Sequence, residues 1–383
     1  MNRNHLAFDP EAFLMSFAAR EEILDAYLDT LPARAITLNR PIQSWEALNE
    51  HLRACSPEEF RIVASGFREA FELCSDEGHE RLIQVCSLTG KSTPELLALP
   101  AECLSLKILT EDRDIFESAL SLDQVMSSDS LELFKPQGTV ALTSDLKRGA
   151  VHFRSDIALL CGSKYGSQRV LLKHFVTPDT LTVGFYFEKR PKAQRLLDGA
   201  AASPRLKHEE FRPIQLDFII FERSTGVLSV RSAWGRLTDE IRRAFATAFL
   251  DNPAAYDWPG ARDILDLHLL MDLNDETVAE AGAIVTEVHY LFPNDPLETR
   301  YRISSANVRE SLRHDNQVGK LDRARIRKTV VQMPVPSTAR KRRVVLQAPN
   351  NVEFRRTSGT IEIVRQLRDW HVFNAPIASQ AAA

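Results

Sequence analysis

Residues 215–230 read QLDFIIFERSTGVLSV, two apolar runs joined by a short polar loop that ends in Gly226. Both runs are rich in β-branched and aromatic residues, which favour strands, and glycine readily closes a tight turn. The stretch therefore predicts an antiparallel hairpin with strands Gln215–Phe221 and Gly226–Val230. It decides the fold class, because a clear hairpin in mid-chain indicates an antiparallel sheet rather than a parallel one.

Alternating or apolar segments on both sides of this hairpin extend the predicted sheet. Turn residues separate them, as in Thr177-Pro178-Asp179 and Pro293-Asn294-Asp295-Pro296. The further predicted strands are Arg169–Phe175, Leu181–Phe187, Ile284–Phe292, Leu297–Ile303, about 324–331 and about 342–347. We predict helices at Thr238–Leu250, Ala261–Met271 and Ile361–Trp370, and we interpret residues 162–167 as a turn.

The first third of the chain has a helical pattern instead. Ser56-Pro57-Glu58-Glu59 combines an N-cap, a proline at the first helical position and acidic residues near the positive end of the helix dipole. An apolar stripe at helical spacing follows it, formed by Phe60, Val63, Phe67 and Phe71. After Ser127–Ser130 the apolar period changes from helical to alternating. The fold class that we predict is α+β, a helical N-terminal domain followed by two mainly antiparallel sheet-plus-helix units.

A chain of 383 residues is longer than one hydrophobic core usually serves, so we expect several domains. We predict an acidic helical domain at 1–133, a central sheet with helices at 134–282, a basic C-terminal sheet with a closing helix at 283–374, and a tail at 375–383.

Composition narrows the class of protein. No run of 18 apolar residues is present, and Asp9 and Glu11 stand where a signal peptide needs an apolar segment. The cysteine spacings match neither a disulfide nor a zinc framework. The cysteines are Cys55, Cys74, Cys86, Cys103 and Cys161. We therefore expect a cytoplasmic protein with reduced cysteines, no membrane partner and no cofactor.

Charge is distributed unequally along the chain. Residues 1–135 contain 12 Lys and Arg against 24 Asp and Glu, whereas residues 300–356 contain 15 against 4. Such asymmetry is informative about binding partners. Successive strand side chains alternate, so Arg323, Arg325 and Arg327 would share one face, and Arg342 on the next strand could join them. Such a surface would neutralise phosphates.

We therefore predict a non-enzymatic protein that binds nucleic acid, through the DNA backbone, by means of its basic strands. Phosphate contacts position a protein on nucleic acid without specifying sequence. The candidate residues are Lys320, Arg323, Arg325, Arg327, Lys328, Arg340, Lys341, Arg342 and Arg343. The alternatives are an acidic protein partner, self-association or internal docking through the acidic N-terminal domain, and a plain solvated surface.

An enzyme remains a further alternative. A metal-dependent nuclease would need carboxylates gathered around Asp156, Asp217 or Glu222, but the strand after Asp217 carries none. Glu287 and His289 share one strand face and could recruit Asp295 for a metal, although a lone strand histidine more often packs or hydrogen-bonds. No phosphate-binding loop, calcium loop or nucleophile motif has the required spacing.

Overall fold

The computed structural model describes residues 8–32, 36–38, 41–126, 130–198, 205–232, 235, 237–272, 277–292, 297, 299–314, 325–335, 338–354 and 360–373. The chain divides into two compact units, Met1–Met126 and Ser127–Ala383. The first is helical and the second is built around an antiparallel sheet. The predicted α+β class is confirmed.

The described residues of the first unit form eight helices. They are α1 (Pro10–Met15), α2 (Glu21–Asp29), α3 (Trp45–Ala54), α4 (Pro57–Phe71), α5 (Asp76–Leu88), α6 (Pro94–Leu97), α7 (Ala101–Glu111) and α8 (Arg113–Met126). The predicted start at Ser56 is confirmed, because its hydroxyl accepts the Glu59 N–H at 3.2 Å. In the core, the Tyr27 ring contacts the Phe67 ring at a tilt of 44°, and its hydroxyl donates a hydrogen bond to the Val63 carbonyl at 2.9 Å. Burial raises the pKa of Tyr27 to about 12.

The second unit contains a ten-stranded antiparallel sheet and a separate two-stranded sheet, β4–β5. In the large sheet the strand order is β2-β3-β6-β7-β1-β12-β11-β10-β8-β9. The strands are β1 (Ser130–Phe134), β2 (Val170–Val176), β3 (Thr180–Glu188), β4 (Lys192–Asp198), β5 (Arg205–Phe211), β6 (Ile214–Glu222), β7 (Leu228–Arg231), β8 (Ile284–Leu291), β9 (Tyr301–Ser304), β10 (Arg325–Val335), β11 (Thr338–Gln347) and β12 (Asn351–Glu353). The predicted central and C-terminal units both contribute strands to this sheet, and their separation near residue 282 stays a prediction.

Helices cover the two halves of the sheet from opposite faces. On the β2-β3-β6-β7 half, α9 (Leu146–Tyr165) and α10 (Thr238–Leu250) bury a core that includes Phe153, Phe185 and Phe245. On the β12-β11-β10-β8 half, α12 (Val308–His314) and α13 (Thr360–Asp369) contribute to a second core. A single helical turn, α11, spans Thr277–Glu280.

Two helix predictions differ from the structure. Residues 162–165, interpreted as part of a turn, are the last turn of α9, and Gly166 ends that helix in a left-handed conformation. The helix was missed because its buried residues form a narrow stripe, Gly149, Phe153, Ile157 and Cys161. Conversely, the predicted helix over residues 261–271 is absent except for a short 3-10 turn at its end. The Ile264 and Leu265 N–H groups bond to the Pro349 carbonyl instead.

The hairpin at the centre of the prediction is present as β6 and β7. Gly226 has φ +70° and its carbonyl accepts a 2.7 Å hydrogen bond from the buried Tyr256 hydroxyl. A Cβ at this position would lie 2.7 Å from Val140 Cγ2 and 3.0 Å from Pro136 Cγ. Glycine is therefore required by both conformation and space.

Among the helices that the structure describes, none combines the length and the apolar character needed to cross a bilayer.

We predict that Gly226→Ala lowers the free energy of unfolding by about 2–4 kcal/mol, since backbone strain adds to overpacking. Gly166→Ala is the matched control, because Gly166 has φ +68° and, apart from its neighbours along the chain, no atom lies within 4 Å of the position that an alanine Cβ would take. It should cost only the strain, about 1 kcal/mol. Denaturant unfolding of both variants measures the difference, and equal losses would contradict the steric argument.

Candidate nucleic-acid interface

The strand register at the β8–β11 end of the sheet decides which basic side chains lie together. Directly opposed residues of antiparallel strands project from the same face. Gln332 on β10 opposes Arg343 on β11, and Pro334 opposes Lys341. On the other side of β10, Lys328 opposes His289 of β8, which in turn opposes Arg302 of β9. These residues share the face that points away from the core containing Met333 and Val344.

A β-bulge changes the predicted alternation along β10. The register shifts between Ile326 and Lys328, where Arg327 is the additional residue. A bulge inserts one residue on one strand only, so side chains before and after it no longer alternate regularly. Ile326 packs in the core, and Arg325 therefore lies on the same face as Lys328 rather than following the period-two pattern.

Arg342 lies on the other face of the sheet. It opposes Met333, a fully buried core residue, and it is itself half-buried. The expectation that Arg342 shares one surface with the arginines of the preceding strand is therefore wrong. Its neighbour Arg343 lies on that surface instead. Lys320, Arg323 and the Arg340 side chain lie outside the described residues.

We define the basic face as the set of cationic residues that the strand register places on this side of the sheet. They are Arg302, Arg325, Lys328, Lys341 and Arg343. From Arg325 to the level of Lys341, the face extends roughly 30 Å at 3.3 Å per residue. Val330 and Val345 lie opposite each other between the two ends of this face, and both are buried. The exposed charges therefore lie on either side of a covered apolar patch.

The exposed members differ in how their charge is compensated. Lys341 Nζ donates to the Gly282 carbonyl at 2.9 Å, and no carboxylate among the described residues pairs with it. Arg325 and Arg343 are exposed and make no ion pair within the described part of the chain. These three residues are the part of the basic face that can offer positive charge to a ligand.

At the other end of the basic face, the Glu287 carboxylate lies close to three basic side chains. Its carboxylate lies 2.6 Å from His289 Nε2, 2.7 Å from Arg302 and 3.6 Å from Lys328 Nζ. Burial raises the pKa of Glu287, but the hydrogen bonds and charges of His289 and Arg302 outweigh it and place the pKa below the usual value. One carboxylate thus compensates part of the charge of several cations.

The sequence indicated this cluster only in part. Glu287 and His289 do lie on one face, where they bond to each other. Asp295, proposed as a third metal ligand, lies outside the described residues. Arg302 was missed because it stands outside the basic run, and only the pairing of β9 with β8 brings it to this face.

Asp217 and Glu222, two of the carboxylates considered for a nuclease, lie on opposite faces of β6. Asp217 is fully buried, where it accepts hydrogen bonds from Gln215 and Ser232, and it opposes Phe185 on the helix-covered face. Glu222 lies five residues along the same strand and therefore faces the other side. Its carboxylate is held by Arg368 and by the Thr225 hydroxyl.

No protein-family model matches this sequence, and no curated protein is found to be similar to it.

We predict that Glu287→Gln lowers the free energy of unfolding by about 1 kcal/mol near neutral pH, because it removes charge-assisted hydrogen bonds. The pKa of Glu287 is lower in the folded chain than its usual value of 4.5, so its contribution is present above that value. It is lost as the pH falls through the folded-state pKa. The difference between wild type and variant should shrink as the pH falls below 4.5 in urea titrations.

Glu353→Gln is the control for this pH series, since Glu353 lies on the same face of the sheet but is exposed and in no ion pair among the described residues. It should leave the unfolding free energy nearly unchanged at every pH. A Glu287→Gln effect that is independent of pH would contradict the assigned role of the carboxylate.

Proposed function

We propose that this protein binds the phosphate backbone of duplex nucleic acid through the basic face. The observation that carries the proposal is the placement of Arg325, Lys341 and Arg343 on one face, exposed and without a carboxylate partner among the described residues. Cations left unpaired on a folded surface are available to neutralise phosphates and to release their counterions.

The spacing of these charges also suits a polyanion. The strip of roughly 30 Å is longer than any single small anion, and duplex DNA presents one negative charge per about 1.7 Å of its axis. Because Val330 and Val345 in the middle of the basic face are buried, phosphates would be contacted at its two ends rather than along its centre. Backbone contacts of this kind give affinity without sequence preference.

We expect that reversing Arg325, Lys341 and Arg343 to Glu weakens binding to a short duplex of arbitrary sequence at least tenfold at about 50 mM salt. The slope of log affinity against log salt concentration should become shallower by about 2–3, since each lost phosphate contact removes about 0.9. Fluorescence anisotropy across a salt series measures both quantities.

A matched triple variant on α9 controls for net charge. Lys147, Arg148 and Arg154 are exposed, and their reversal to Glu changes the protein charge by the same amount. This variant should keep most of the affinity. If both triple variants lose affinity and slope equally, binding depends on overall charge and the basic face is not the interface.

Two competitors distinguish nucleic acid from an acidic protein partner. A duplex of different sequence should compete as well as the original, because phosphates are common to both. Polyglutamate at equal charge concentration should compete poorly. Equal displacement by polyglutamate would mean that the face binds acidic chains in general, which contradicts the proposal.

Removing the internal carboxylate should act in the opposite direction. We expect Glu287→Gln to raise duplex affinity about two- to fivefold at low salt, because Arg302 and Lys328 lose a competing negative charge. General unfolding lowers affinity, so an increase cannot arise from it. A decrease in a variant with unchanged circular dichroism would argue against binding at this face.

A further inference from the structure

Three side chains with different metal-ligand atoms meet where α3 joins α4. His51 lies in the last turn of α3, Cys55 follows that helix, and Glu59 lies in the first turn of α4. One atom from each, an imidazole nitrogen, the thiol sulfur and a carboxylate oxygen, lie within 4.8 Å of one another. His51 and Cys55 are half-buried and Glu59 is buried. The grouping lies in the helical unit and is independent of the basic face.

The backbone between the two helices fixes this arrangement. The Cys55 N–H donates to the His51 carbonyl at 2.8 Å and closes α3. The Ser56 hydroxyl accepts the Glu59 N–H at 3.2 Å and begins α4. Because both helix ends are capped through these residues, the positions from which the three side chains project are determined by main-chain hydrogen bonds.

Hydrogen bonds also orient the side chains themselves. His51 Nε2 lies 2.7 Å from Glu59 Oε1, and the Thr37 N–H donates to the same oxygen at 2.8 Å. The Thr37 hydroxyl lies 3.1 Å from the other carboxylate oxygen. The Cys55 thiol donates weakly to the Leu52 carbonyl at 3.4 Å. Outer contacts of this kind are the ones that hold metal-binding carboxylates in place in other proteins.

We propose that His51, Cys55 and Glu59 bind one Zn²⁺ ion. Zinc takes nitrogen, sulfur and oxygen ligands at about 2.0–2.3 Å in tetrahedral geometry, so its ligand atoms stand about 3.3–3.8 Å apart. The three atoms need move only by about 1 Å to reach this spacing. A mixed set that includes thiolate favours zinc over magnesium or calcium, which prefer oxygen ligands. Solvent completes the coordination, since His51 is 19% exposed.

Proton balance accompanies binding. In the metal-free protein the Cys55 thiol donates to the Leu52 carbonyl, so its proton is on sulfur. On binding, the S–H bond breaks, a zinc–sulfur bond forms and the proton passes to solvent. The proton shared between His51 Nε2 and Glu59 Oε1 must also leave, to Nδ1 of the neutral imidazole or to solvent. The hydrogen bond between the two side chains is then exchanged for two bonds to the metal. Zinc affinity should therefore increase as the pH rises.

The test uses the reduced, tag-free full-length chain titrated with Co²⁺ and then with Zn²⁺. We expect one equivalent of cobalt to bind with a thiolate-to-cobalt charge-transfer band and the intense visible bands of a tetrahedral site, and zinc to abolish both. Cys55→Ser should remove the charge-transfer band, and Glu59→Gln should weaken zinc binding at least tenfold. A wild-type chain without these bands, or a Cys55→Ser chain that keeps them, overturns the proposal.

Cys74→Ser is the matched control. Cys74 is also half-buried at the end of a helix, and its thiol donates to the Ala70 carbonyl at 3.3 Å much as Cys55 does to Leu52. This variant should bind cobalt and zinc like wild type. Thr37→Val, which retains all three ligands, should weaken zinc binding about 10- to 100-fold while preserving the bands. If Cys74→Ser loses the bands as Cys55→Ser does, the site is misassigned.

Discussion

The short strand β1 is the element on which the second unit depends. It pairs with β7 on one side and with β12 on the other, so it joins the β2-β3-β6-β7 half and the β12-β11-β10-β8-β9 half into one sheet. Its side chains alternate, and consecutive residues enter different cores: Leu133 packs with one and Phe134 with the other. Strand geometry alone requires this division, because neighbouring residues point to opposite faces.

That alternation has a consequence for where a ligand can bind. Helices α9 and α10 cover one face on one half of the sheet, and α12 and α13 cover the opposite face on the other half. Each half therefore has one face on which these helices do not pack. The basic face is that face of the β8–β11 half. Arg325, Lys341 and Arg343 are tolerated there because they are exposed and stay solvated, whereas the less exposed Glu287 has ionic partners.

Much of the fold could be predicted from local pattern, whereas the proposed sites could not. The helical first unit, the β6–β7 hairpin and the antiparallel character follow from periodicity, caps and turn residues. Helix α9 was not predicted because only a narrow stripe of it is buried. The predicted helix over residues 261–271 was wrong because apolar spacing does not reveal that the Ile264 and Leu265 N–H groups bond to Pro349. The His51, Cys55 and Glu59 grouping was missed because its spacing crosses a helix boundary and resembles no known metal motif.

The helical and antiparallel segments and the concentration of positive charge in residues 300–356 follow from the amino-acid sequence, since they depend on neighbours along the chain. Which of these charges share a surface depends on how distant strands pair. The bulge at Arg327 places Arg325 on the basic face, and the pairing of β9 with β8 adds Arg302. The register of β10 with β11 excludes Arg342 from this face and includes Arg343. A shift of one residue moves a side chain to the other face of a sheet, and register is set by contacts between distant segments.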